Sequence, residues 1–224
     1  MITLRALGVL LTYPRGEMLD ALPEIHAAIA SSELLGAPEK ERVAQLIVEL
    51  RTTDSFELEE RYVELFDRSR SASLYLFEHV HGDSRERGQA MVDLKAVYER
   101  AGFHLAPNEL PDYLPAMLEY LSCRTLAEAR DMLGDCAHVV RAVGERLAAR
   151  SSRYATVFDA LLVISGEHGL DWTTVPEPAE LASHLDEDWM DAPAFGPGSA
   201  PSQAGPPGVV PLRFMPRKMR QPGG

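Results

Sequence analysis

The sequence predicts an all-α protein, and three observations carry that prediction. Apolar residues recur at three- and four-residue spacing almost throughout, the period of a helix with one buried face. No stretch alternates apolar and polar residues long enough to read as a strand, and no hairpin turn separates such stretches. Prolines, glycines and capping residues fall mostly at the ends of the apolar stripes, where helices start and stop. With 224 residues, 46% of them hydrophobic and 25% charged, the chain is long enough to bury a sizeable core.

Taken in order, Leu4, Leu7 and Leu11 mark a first helix that must stop near Pro14. Met18, Leu22, Ile25 and Ile29 mark a second, with Pro23 in its first turns. Val43, Leu46, Ile47 and Leu50 form the next stripe, behind a Pro38 placed to start a helix. Asp54 and Glu57 read as a capping pair opening a helix with the face Leu58, Tyr62, Leu65 and Phe66. Leu74, Phe77 and Val80 or His81 share a further face that Gly82 breaks. Asp83 or Ser84 then caps a helix bearing Met91, Leu94 and Val97 or Tyr98, which runs to Gly102. Pro107 and Pro115 frame the approach to a helix with Leu118 and Leu121. Thr125 and Glu128 cap one long helix whose buried face runs Leu126, Ala129, Leu133, Cys136, Val140, Val143 and Leu147. Tyr154, Phe158, Leu161 and Ile164 or Ser165 trace the last, ended near Gly166 or Gly169.

Residues 1–191 are therefore expected to form a single helical bundle. Residues 192–224 differ in kind, with eight prolines and six glycines in 33 positions and no acidic residue, and are expected to be a disordered basic tail. Arg213, Arg217, Lys218 and Arg220 give this tail +4 and leave −16 on the body. The tail is either a solubilising end or the partner of a salt-screened contact with the body.

The net charge of −12 repels phosphate backbones, which argues against nucleic acid and in favour of a basic peptide partner. The longest apolar runs, such as 160–164, are too short to cross a bilayer. The apolar stretch 4–11 carries Arg5 and lacks a basic leader and a small-residue cleavage site, so no secretory signal is expected. Two cysteines are too few for a disulfide framework, and the expected location is the cytoplasm.

Catalytic and metal chemistry find little support. His79 and His81 point roughly 200° apart on a helix and do not readily share an ion. Cys123, Cys136 and His138 lack ligand spacing, and there is no HExxH, phosphate-binding loop, GxGxxG or GxSxG. No catalytic residue, resident metal or cofactor is expected. A binding role is easier to build, because packed helices form grooves with apolar walls and charged rims that accept an amphipathic peptide. The candidates are Tyr75, Glu78, His81, Asp83, Arg85, Arg87 and Gln89, followed by the acidic, aromatic group Glu109, Asp112, Tyr113, Glu119 and Tyr120. Singly, each of these reads equally as a cap, an intrahelical pair or a solvated surface group.

The block S-L-Y-L-F-E-H-V-H-G-D-S-R-E-R-G-Q-A-M-V-D-L (73–94) and the block P-N-E-L-P-D-Y-L-P-A-M-L-E-Y-L (107–121) carry a resemblance. They are similar to the nitrate reductase assembly chaperones (NarJ/NarW, also called the delta subunit), a branch of the TorD-like redox-enzyme maturation proteins. The likeness spans most of residues 1–170 and implies an all-helical cytoplasmic chaperone without catalytic activity. The implied partner is the apo catalytic subunit of nitrate reductase, bound notably near its N-terminus. The client would stay competent for insertion of molybdenum cofactor and an iron–sulfur cluster before it docks at the membrane. Proteins that deliver the molybdenum cofactor are further implied partners. In the wider group the second block corresponds to an acidic E-P-x-D-H motif. Here it reads Glu109-Leu110-Pro111-Asp112-Tyr113, so the resemblance carries peptide contact onto Glu109 and Asp112 and no imidazole role onto Tyr113. A permanent structural subunit of the reductase complex is the alternative, and a helical hydrolase using the histidine-rich corner is a more distant one.

Overall fold

A computed structural model describes residues 1–80 and 85–173, the side chain of Arg85 excepted. Among these residues the chain forms eleven α-helices and no strand, as the periodicity predicts. They are α1 (Ile2–Leu10), α2 (Gly16–Asp20), α3 (Leu22–Ala30), α4 (Ala37–Thr52), α5 (Ser55–Tyr62) and α6 (Leu76–Val80). There follow α7 (Arg85–Arg100), α8 (Leu114–Ser122), α9 (Leu126–Asp135), α10 (Ala137–Ala149) and α11 (Ala155–Ser165). The predicted break at Gly82 and the caps at Asp83 and Ser84 lie outside the described residues, as does the tail.

The core centres on α11, whose sequence ATVFDALLVIS is apolar on every side because helices surround it. Helices α4, α9 and α10 pack on it, and α1 bridges to α3 and α8. Two glycines set the closest approaches. A Cβ on Gly8 would meet Leu118 Cβ at 3.1 Å and the Pro115 carbonyl at 3.3 Å, which lets α1 lie against α8. A Cβ on Gly144 would meet Phe158 Cβ at 2.9 Å, so α10 seats against α11 only without one.

Capping follows the expected chemistry. The Asp54 carboxylate accepts from the Phe56 amide at 3.0 Å, and Thr125 with Glu128 forms a full capping box. Pro38 stands in the first turn of α4.

Three expected helices differ from the observed ones. The long helix after Thr125 breaks at Cys136, where φ −103° and ψ 7° turn the chain between α9 and α10. The buried stripe continues across the break, and it is that continuity which hides the corner in the sequence. The helix through Met18 and Ile29 is divided at Ala21 into α2 and α3. The face of Leu58 to Phe66 leaves α5 through a π turn at Val63–Asp67. No described helix is long and apolar enough to cross a membrane.

Candidate functional site

The two blocks singled out in the sequence meet in space. Residues 74–76 are extended rather than helical and pair antiparallel with 112–114. The Leu76 amide donates to the Asp112 carbonyl at 3.0 Å, and the Leu114 amide to the Leu74 carbonyl at 2.9 Å. The predicted helix at 74–81 is thus shortened at its start, because its first residues satisfy their backbone groups across this bridge. Directly above the bridge the Tyr75 and Tyr113 rings lie 5.2 Å apart with 34° between their planes.

Asp112 organises the junction. One carboxylate oxygen accepts from the Phe77 amide at 3.1 Å, capping α6 from a segment 35 residues away. The side chain is 0% exposed, and its other oxygen has no hydrogen-bond partner. Burial pushes its pKa up to about 6, against the opposing effects of the Phe77 amide and the Arg87 guanidinium. The expected place of Asp112 on an exposed acidic rim is corrected accordingly, since it lies beneath the surface and acts on the backbone. The loop holding it is fixed from below, where the buried Tyr98 hydroxyl donates to the Pro111 carbonyl at 2.8 Å.

Around the tyrosine pair lie carboxylates. Burial raises the Tyr75 hydroxyl pKa, and Asp112, Asp67, Glu78 and Glu109 push it the same way. Tyr113 is raised first by burial, then by Tyr75, Glu109 and Asp67, with the Tyr62 hydroxyl opposing as a hydrogen-bond neighbour. Glu78 meets Arg87 at 3.4 Å, an ion pair that ties α6 to α7. Asp67 and Glu109 have no basic side-chain partner among the described residues. Tyr62 continues the ring system inward, 5.3 Å from Tyr13, 4.9 Å from Phe66 and 6.3 Å from Tyr154. Its hydroxyl donates to the Leu11 carbonyl at 2.8 Å, and Tyr13 donates to Glu59 at 2.9 Å.

The structure therefore brings Tyr75, Glu78, Arg87, Glu109, Asp112 and Tyr113 together. His81, Asp83 and the Arg85 side chain lie outside the described residues. Gln89 is exposed farther along α7 and donates to Asp93 at 2.8 Å. Glu119 and Tyr120 belong elsewhere: Glu119 faces Arg5 at 4.0 Å, and Tyr120 packs 4.5 Å from Tyr98 in a separate aromatic cluster. His79 is held through Nε2 by the Ser73 carbonyl at 2.8 Å, and burial, helped by Arg146, lowers its pKa. No three His, Cys, Asp or Glu side chains converge on a point that could hold an ion among the described residues.

What this arrangement offers is an aromatic floor of half-exposed tyrosines bordered by unpaired carboxylates. Such a surface stacks against proline and arginine side chains and attracts basic ones. It contains no nucleophile and base within reach of each other.

Comparison with known proteins bears directly on these blocks. Residues 32–160, which include both, match the family model of the nitrate reductase delta subunit. The chain belongs to the nitrate reductase delta subunit family. Its relatives in that family include the nitrate reductase molybdenum cofactor assembly chaperone NarJ of Escherichia coli K12, 44% identical over 165 residues. That alignment covers 74% of this chain and 70% of NarJ. The probable chaperone NarW of the same organism is 40% identical over 166 residues, covering 74% of this chain and 69% of NarW. The probable NarJ of Bacillus subtilis is 34% identical over 161 residues, covering 72% of this chain and 86% of that protein.

Within this delta subunit fold, sequence reasoning missed Tyr13, Glu59 and Asp67 as neighbours of the site. Glu59 reads as one of several carboxylates on a solvated face. Tyr13 reads only as a helix end before Pro14. Nothing local signals that the π turn carries Asp67 toward Tyr75 and Tyr113.

Proposed function

We propose that this chain is an assembly chaperone that binds the apo catalytic subunit of a nitrate reductase. It keeps that client competent for insertion of its molybdenum cofactor and iron–sulfur cluster before membrane docking. The recognised element is a basic, amphipathic segment near the client's N-terminus, seated on Tyr75 and Tyr113 and steered by Glu78, Glu109 and Asp67. One observation carries the reading: part-exposed tyrosines stand beside carboxylates that lack basic partners, at the junction of the two family blocks. Asp112 serves by holding the tyrosine-bearing segments together. His81, Asp83, Arg85, Arg87 and Gln89 remain candidate contacts at the neighbouring turn. The chaperone carries no cofactor of its own and catalyses no reaction. The molybdenum cofactor is the client's cargo, and the work is done in the cytoplasm. The curated relatives named as molybdenum cofactor assembly chaperones support the client assignment.

Titration with the client's N-terminal peptide at two salt concentrations tests the site. Acidic steering makes binding weaken as salt rises. The Glu109→Gln, Asp67→Asn double variant is expected to bind several-fold more weakly at low salt and about equally at high salt. Affinity indifferent to both salt and these charges would remove the electrostatic part. The family's description as a delta subunit favours a second reading, a permanent structural subunit. Purified mature reductase separates the two, because a permanent subunit would be present in equal amount with the catalytic one.

A further inference from the structure

The surface that would receive a basic client segment has a candidate occupant in its own chain. Residues 209–220 read V-V-P-L-R-F-M-P-R-K-M-R, and from residue 192 onward the chain carries no acid. Arg213, Arg217, Lys218 and Arg220 alternate with apolar Leu212, Phe214, Met215 and Met219, so charge and apolar surface arrive together. Pro211 and Pro216 fix φ at two positions, which lowers the entropy lost when such a segment is ordered against an aromatic surface. Arginine on tyrosine is a contact this protein already uses, with Arg15 4.7 Å from the Tyr13 ring centre and Arg124 5.8 Å from that of Tyr120.

Reach and charge both allow the contact. Thr173 and Val209 are separated by 35 residues. A flexible linker of that length has a root-mean-square span of about 30–35 Å. A domain of this size has a radius of gyration of roughly 16 Å. The tethered segment is therefore present near the body at an effective concentration on the order of 1 mM. The start of the linker is fixed, since the Arg42 guanidinium stacks 5.3 Å from the Trp172 ring and the Leu170 amide donates to buried Asp159 at 2.7 Å.

We propose that residues 209–220 seat on the Tyr75–Tyr113 surface beside Asp67 and Glu109, and that a client segment must displace them. This rests on reading that surface as a receptor for basic, apolar segments, and it adds a self-occupied state. The tail then acts as a weak internal competitor that blocks non-client basic peptides and yields to a client whose own contacts are stronger. A segment with an intrinsic dissociation constant of about 0.1–1 mM would weaken an external ligand's apparent affinity about 2- to 10-fold.

The test uses the full chain. With Cys123→Ser to remove the exposed thiol and a spin label on Gln221→Cys, amide signals of residues 74–76 and 112–114 are expected to broaden at low salt. They should recover at high salt. The quadruple variant Arg213→Gln, Arg217→Gln, Lys218→Gln, Arg220→Gln should lose the broadening. It should also bind a synthetic peptide of residues 207–222 about 2- to 10-fold more tightly than the unaltered chain does. No broadening at the tyrosine bridge, or broadening confined to the acidic stretch 177–191 or to the groove of Glu41, Val48 and Glu49 on α4, overturns the proposal. So does equal affinity of both chains for the peptide. A client peptide that binds both chains equally well refutes the internal competitor while leaving the receptor surface intact. One that binds neither refutes the receptor reading, and the spin-label result then decides the tail alone.

Discussion

Replacing Asp112 by asparagine isolates the cost of a buried charge. The carboxylate is fully enclosed, one oxygen caps Phe77 at 3.1 Å, and the other has no partner. Burial raises its pKa from the usual 3.8 to about 6. The folded state thus holds the proton more tightly than the unfolded chain does. Stability from this group is fully present below pH 3.8 and is lost as pH rises through 6. A shift of about two units corresponds to about 3 kcal/mol. Asparagine keeps an oxygen for the Phe77 amide and cannot ionise. Urea unfolding of both proteins from pH 3.5 to 7 should show the stability difference moving by about 3 kcal/mol in favour of Asp112→Asn, most of it between pH 4 and 6. All other titrations cancel in the comparison. Asp112→Ala should lose the cap as well, costing about 1 kcal/mol at any pH. A difference that stays flat across this range, or moves toward aspartate at neutral pH, would refute the reasoning. It would mean that the charge has a compensating partner.

Three further outcomes follow from the packing. Arg42 Nη2 meets the buried Asp159 at 2.8 Å, so Arg42→Ala should lower stability by about 3 kcal/mol in urea unfolding, the lower end for breaking a buried pair. Gly144→Ala drives a Cβ to 2.9 Å from Phe158 and should cost about 1–3 kcal/mol, whereas Gly134→Ala, with open space around it, should stabilise by up to about 1 kcal/mol; thermal unfolding reads both. Cys136 is buried and its thiol is pushed up to about 12, while Cys123 is exposed, so a thiol reagent at pH 8 should label Cys123 in the native protein and both cysteines in urea.

The helices were legible wherever a stripe and a cap agreed. Asp54 before Leu58, Thr125 before Ala129 and Pro38 before Val43 all start helices where the sequence places them, because these signals act within one turn. Corners without a breaking residue were not legible. Cys136 turns the chain with no glycine or proline, since the apolar spacing on both sides suits one face and only tertiary packing bends it. The site was half legible for the same reason. Glu109, Asp112, Tyr113, Tyr75 and Glu78 stand out as chemistry in two blocks. Their meeting, and the burial of Asp112, depend on a backbone bridge between segments more than thirty residues apart. Nothing in either block encodes which of its carboxylates turns inward.

The π turn at Val63–Asp67 has a consequence for how this fold can vary in length. A π turn carries one residue more than the α-helical turn it replaces. Deleting a single residue between 63 and 65 would regularise the helix and swing everything after it by about 100°. Phe66 would then leave its place 4.9 Å from Tyr62, and Asp67 would rotate away from the tyrosine pair. The surplus residue behaves as a spacer in the gearing between α5 and the bridge. Shortening this stretch by one should therefore do more harm than most substitutions within it.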